Sequence, residues 1–192
     1  MAVPALGFAP EILLAAQDIR IAFFDIDGVL TDGGVFFSED GETLKRFSVL
    51  DGYGLKLLRM AGIVPAVITG RDSKPLRVRL EALGVEHVRY GIEDKLSVAR
   101  EMLAQLGFDW TQAAAIGDDW PDLAMLGSAA FAAAPANAHA EVRALAHYVT
   151  VARGGEGAAR EFCDLLLMAG GHYRRMLDAA RGDALRTGSG AA

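Results

Sequence analysis

Four groups of polar residues stand where apolar runs end, and their types could together carry out phosphoryl chemistry. Asp25 and Asp27 follow the apolar residues 21–24 and precede Gly28, while Thr69 follows the apolar run 63–68. Lys95 opens an amphipathic stretch, and Asp118, Asp119 and Asp122 follow the small apolar run 113–116. Carboxylates gathered at one place repel one another unless a cation sits among them. Oxygen-only donors select a hard ion, and Mg²⁺ is the usual partner of phosphate. With the charge neutralised, Asp25 could attack phosphorus and carry the phosphoryl group covalently. Asp27 would protonate the leaving oxygen and later take a proton from the hydrolytic water. The Thr69 hydroxyl, backbone N–H groups and Lys95 would hold phosphoryl oxygens. Asp25, Asp27 and Asp118 form the expected metal set, with Asp119 and Asp122 as outer partners that orient Lys95 or metal-bound water. Each signal alone has an ordinary explanation as a turn, a loop or a solvated lysine; it is their order along the chain that joins them.

That order requires elements that bring the four places to one edge. Runs 20–25, 63–68, 85–90, 113–116, 129–134 and 148–151 read as strands. Amphipathic stretches between them, 51–61, 73–83, 94–106 and 138–145, read as helices, three of them closed by Gly62, Gly84 and Gly107. A short helix over 10–17 precedes the first strand, and 157–180 reads as helix broken at Gly170-Gly171. This alternation predicts an α/β fold, mainly a parallel sheet with helices on both faces. Ligands of such sheets bind beyond the carboxyl ends of the strands, where all four groups fall. Residues 34–49 read as a β-hairpin inserted after the first strand, turning at Ser38–Gly41. Residues 1–181 are expected to form a single domain, with 182–192 as a frayed tail.

The bulk composition narrows the class. Of 192 residues, 52% are hydrophobic and 23% charged, and 19 Lys and Arg against 25 Asp and Glu leave a net charge of −6. No basic stripe suggests nucleic acid. The N-terminal residues do not resemble a secretory signal and no uncharged apolar run is long enough to span a bilayer, so no membrane partner and a cytoplasmic location are expected. Cys163, the sole cysteine, reads as a buried small hydrophobe. His87, His139, His147 and His172 lack metal-ligand spacing, and Trp110 and Trp120 read as packing or interface residues.

The motifs Asp25-Ile26-Asp27-Gly28-Val29-Leu30-Thr31-Asp32, Thr69-Gly70-Arg71, Lys95 and Gly117-Asp118-Asp119 with Asp122 resemble those of haloacid dehalogenase superfamily phosphatases. The resemblance implies a Rossmann-like three-layer fold, Mg²⁺ dependence and an aspartyl-phosphate intermediate, and Asp27 favours phosphate esters over haloacids. The intervals from Asp32 to Asp51 and from Thr69 to Lys95 hold a hairpin and a helix plus a strand, with no room for a cap domain. Over residues 18–170 the chain is most similar to the capless family of 3-deoxy-D-manno-octulosonate 8-phosphate (KDO 8-phosphate) phosphatases, through 41–47, 51–56, 68–71 and 154–161. That family acts in lipopolysaccharide precursor synthesis. It implies a homotetramer with hairpins joined in a central barrel and a Gly-Gly segment near a neighbouring site. By position it implies substrate contacts at Asp27, Ser48, Val49, Leu50, Asp51, Gly52, Lys56, Gly70, Arg71, Arg79 and Lys95. Leu50 and Glu156 depart from the basic residues common there. Close relatives act on nine-carbon keto-sugar acid phosphates, which is the alternative substrate. The alternative class is a receiver-like phospho-acceptor module, but a receiver carries its acceptor aspartate on a middle strand, after an acidic pair on the first.

Overall fold

The computed structural model describes residues 4–39 and 41–182. Its strands are β1 (Ile21–Phe24), β2 (Phe36–Ser38), β3 (Gly41–Leu44), β4 (Val64–Ile68), β5 (His87–Arg89), β6 (Ala113–Ile116), β7 (Phe131–Ala134) and β8 (Tyr148–Val149). Its α-helices are α1 (Pro10–Ala15), α2 (Val49–Ala61), α3 (Lys74–Leu83), α4 (Lys95–Leu106), α5 (Leu123–Ser128), α6 (Ala140–Leu145), α7 (Ala158–Ala169) and α8 (Tyr173–Ala180). One parallel sheet runs in the order β5-β4-β1-β6-β7-β8, and β2 and β3 pair separately as the antiparallel hairpin. The expected tail, beyond Gly182, lies outside the described residues.

The sheet is built around β1, whose four residues Ile21, Ala22, Phe23 and Phe24 are all buried. A strand covered on both faces needs apolar side chains at every position, which is why it reads as a continuous run. Alternate residues serve opposite layers. Phe24 meets Phe162 of α7 edge-on at 5.6 Å and shares a core with Leu55 and Leu58 of α2. Phe23 joins the other core, with Ala99, Met102 and Leu103 of α4 and Met125 and Leu126 of α5. Each fully buried side chain of this size contributes about 1.5–3 kcal/mol, so both layers hold β1 firmly. The result is the three-layer α/β fold expected, with the hairpin as its insertion.

Boundaries differ from expectation mainly in the hairpin. It closes at Leu44 instead of running to residue 49, because Ser48 starts a helix. The Ser48 hydroxyl accepts from the Asp51 amide at 3.5 Å and caps α2, so Val49 and Leu50 lie in its first turn. The helix α5 and two short 3₁₀ turns, Trp110–Gln112 and Trp120–Asp122, add to the expected elements. The second turn begins after the three residues 117–119 that follow β6 and folds Asp122 back beneath Gly117, Asp118 and Asp119.

β1 lies between β4 and β6, and the chain leaves it in opposite directions, first to β4 and β5, later to β6, β7 and β8. The carboxyl end of β1 is therefore the switch point of the sheet, where a crevice opens.

Candidate active site

The polar groups converge on that crevice. Asp25 continues the sheet by one bond, its amide donating to the Ile116 carbonyl at 3.1 Å, and is 6% exposed. Thr69 stands just past β4, 1% exposed, its hydroxyl oxygen accepting from the Arg71 amide at 3.3 Å. Asp94 caps α4 by accepting from the Ser97 amide at 3.1 Å, which sets Lys95 in the first turn and aims it inward. The Lys95 ammonium donates to Asp25 Oδ1 at 2.7 Å and to Asp122 Oδ1 at 2.6 Å. Asp122 Oδ2 in turn accepts from the amides of Asp118 and Asp119, at 3.1 and 3.3 Å. A cleft of about 480 Å³ opens over this set, lined also by Asp27, Gly70 and Arg71.

The electrostatics are those of crowded carboxylates. Burial pushes Asp25 up to about 7, Asp122 adds repulsion, and Lys95 only partly offsets both. Burial likewise pushes Asp118 up to about 8, helped by Asp25, Asp122 and Asp119. Burial works against the Lys95 charge, but Asp25 and Asp122 outweigh it and hold the ammonium protonated. Negative charge at this edge therefore exceeds what one lysine balances.

That imbalance fits a hard divalent cation. Asp25, Asp118 and Asp122 each offer an oxygen, all within 4.8 Å of one another. Asp122 is already engaged by Lys95 and two amides, so Asp25 and Asp118 have the greater capacity left to ligate. Gly28 leaves room for them. A Cβ there would stand 2.0 Å from Asp118 Oδ2, and its φ of +93° lies in the left-handed region. The Asp27 carboxylate, expected in the metal set, is not part of this cluster. Lys45 donates to its Oδ1, and the Arg71 Nε approaches its Oδ2 at 3.5 Å. Both cations also pair with Glu42, Lys45 at 3.2 Å and Arg71 at 3.9 Å. Sequence reasoning does not single out Lys45 and Glu42 as site residues. Their signal is weak, a charged pair three apart on a hairpin that otherwise reads as an interface element.

The expected substrate contacts divide. Asp27, Gly70, Arg71 and Lys95 line the cleft; Ser48, Val49, Leu50, Asp51, Gly52, Lys56 and Arg79 do not. Asp51 is committed elsewhere. Its carboxylate accepts from the amides of Gly157 at 3.3 Å and Arg160 at 2.8 Å, capping α7 across the core. Arg79 donates to the Ser48 carbonyl at 3.3 Å, and its Nη2 would lie 2.5 Å from a Cβ on Gly52. It braces the start of α2. Val49, Leu50 and Lys56 lie on α2, with Val49 and Leu50 exposed.

The Gly-Gly segment packs on the chain's own loop after β1. The Gly155 amide donates to the Val29 carbonyl at 2.9 Å, and a Cβ on Gly154 would stand 1.7 Å from the Gly28 oxygen. Arg46 closes the outside, 3.2 Å from Asp32 and 3.9 Å from Glu156. His139 accepts from the Trp120 indole at 3.0 Å and His147 from the Ala132 amide at 3.0 Å, while Cys163 is buried.

Residues 85–162 match the model of haloacid dehalogenase-like hydrolases. The chain is 43% identical to the 3-deoxy-D-manno-octulosonate 8-phosphate phosphatase KdsC of Yersinia pestis over 84% of its length and 86% of the relative's. It is 38% identical to KdsC of Salmonella typhimurium over 92% of each chain. Among solved structures, the 3-deoxy-D-manno-octulosonate 8-phosphate phosphatase of Moraxella catarrhalis, in complex with magnesium, phosphate and KDO, superposes with a TM-score of 0.85 at 38% identity, covering 88% of this chain and 97% of that one. By these likenesses, and by its parallel sheet and acidic crevice, the chain belongs to the haloacid dehalogenase-like hydrolases, in the family of 3-deoxy-D-manno-octulosonate 8-phosphate phosphatases.

Proposed function

We propose that this chain hydrolyses 3-deoxy-D-manno-octulosonate 8-phosphate to the free sugar acid and phosphate, with Asp25 as nucleophile. The observation that carries the reading is the buried Lys95 ammonium held between Asp25 and Asp122 at the sheet switch point. Such a lysine keeps Asp25 oriented and leaves a third N–H for a phosphoryl oxygen.

In the first step an Asp25 oxygen bonds to phosphorus while the bond from phosphorus to the sugar oxygen breaks, and Asp27 gives that oxygen its proton. In the second, Asp27 takes a proton from water as the water oxygen bonds to phosphorus and the Asp25–phosphorus bond breaks. Thr69 and Lys95 hold the phosphoryl oxygens through both steps, and Arg71 at the mouth suits an anionic sugar acid. Asp25 and Asp118 would hold magnesium, which when bound would supply the positive charge that lets an anionic carboxylate and an anionic phosphate approach. The names of the curated relatives support the substrate.

Assembly as a homotetramer belongs to the same reading. Phe36, Phe37 and Leu44 on the hairpin and Val49 and Leu50 beside it are between 54% and 80% exposed, more apolar surface than a lone hairpin usually leaves in water. The exposed carried-over contacts Val49 and Leu50 on α2 would then serve a neighbouring cleft. Phosphate release should be measured across sugar-acid and hexose phosphates, with and without Mg²⁺. Release is expected to require Mg²⁺ and to favour the eight-carbon keto-sugar acid ester at least about tenfold, or 1.4 kcal/mol; equal rates for hexose phosphates would overturn the substrate.

A further inference from the structure

Asp27 sits at the end of the catalytic strand, yet its side chain is not held by the sheet. Among the described residues its carboxylate is paired by Lys45, just beyond β3, and by Arg71. The two cations are unequal. Arg71 approaches at 3.5 Å from a side chain 48% exposed, whereas the Lys45 side chain is 0% exposed. A buried ammonium is tolerated only when paired, and here it is paired to Asp27 by a hydrogen bond and to Glu42, itself 10% exposed, by an ion pair at 3.2 Å. The pairing also works in reverse. An isolated two-stranded hairpin is marginal in water, and this one is fastened to the catalytic loop through Lys45.

From this geometry we propose that Lys45 is a positioning residue for Asp27, holding its carboxyl toward the ester oxygen, so that the hairpin is part of the proton-transfer apparatus. The inference rests on the phosphatase reading. A general acid must lie within hydrogen-bond reach of the oxygen it protonates. A carboxyl at a Gly-flanked turn, with no sheet partner, can leave that reach by a single rotamer change. Lys45 removes this freedom, so two lysines from different parts of the chain each fix one of the two aspartates.

The test separates proton donation from binding and from folding. A sugar alkoxide cannot leave without a proton, whereas p-nitrophenolate can, so the first turnover on p-nitrophenyl phosphate needs no acid. In rapid-quench first turnovers, Lys45→Met should lower sugar release from the keto-sugar acid phosphate about a hundredfold and change the p-nitrophenolate burst less than about threefold. Lys45→Arg should recover most of the loss. In an Asp27→Asn background, Lys45→Met should add nothing further. Equal losses on the two esters, additive losses in the double variant, or a raised KM at unchanged kcat would each overturn the role assigned to Lys45. If the Met variant unfolds, the Arg variant and the double-variant comparison decide the question in its place. Wild-type protein that releases phosphate from neither ester would instead overturn the phosphatase reading itself; wild-type turnover with Lys45→Met unimpaired would overturn this inference alone.

Discussion

Asp25 and Asp27 are two residues apart and come to rest in different surroundings. Asp25 belongs to the sheet: it extends the β1 ladder, is buried, and is gripped by a lysine from α4 with Asp122 behind it. Asp27 belongs to the rim, half-buried and paired with cations from the hairpin and from the loop after β4. The difference matches the demands of the two parts proposed for them. A nucleophile must meet phosphorus along one line, which rigid packing on both faces of β1 provides. An acid that also acts as base must exchange protons with ester and water, which requires a mouth open to solvent.

The largest effect that could break this contrast is at the proposed nucleophile. Asp25→Asn should lower phosphate release by more than about a thousandfold while leaving the near-ultraviolet circular dichroism of the wild type; a variant with near-normal turnover would show that the sheet-bound carboxylate is not the one that attacks. A smaller effect separates site from scaffold. Asp51→Ala should lower stability by about 1–3 kcal/mol in urea unfolding, by removing the α7 cap and stranding two amides, with KM unchanged. A raised KM at full stability would return Asp51 to the substrate. The mildest test uses pH. Asp25 and Asp118 hold protons up to about 7 and about 8 in the folded chain, against an ordinary 3.8. The folded state thus binds more protons than the unfolded one between these limits, and this contribution is complete below 3.8 and lost as pH rises through 7 to 8. Metal-free protein should therefore show a falling melting temperature across that window, and Mg²⁺ should restore most at the alkaline end.

The sheet, its order of elements and the four polar groups are legible because each rests on local chemistry: continuous apolar runs, glycine stops, carboxylates at strand ends. What escapes depends on contacts between distant segments. Asp51 resembles a site residue in Asp51-Gly52-Tyr53-Gly54, and nothing nearby in the chain reveals that it caps α7. Lys45 lies past the last hairpin pair, where alternation gives no face, so its burial against Asp27 cannot be read. The Gly154-Gly155 pair is hidden for the same reason, since its neighbour is Gly28 and not solvent. The hairpin boundary turns on capping, where a serine outweighs the strand-like run before it.

The closeness of Gly154 to Gly28 also sets an order of assembly. All four motifs are synthesised before Gly154 is, yet the loop that carries Asp27 has no floor until that glycine arrives. α7, which follows at once, supplies Phe162 to one face of β1. A nascent chain that has already emerged with its complete set of reactive groups is thus still open at the back of the loop after β1, until the C-terminal part docks against the first strand made.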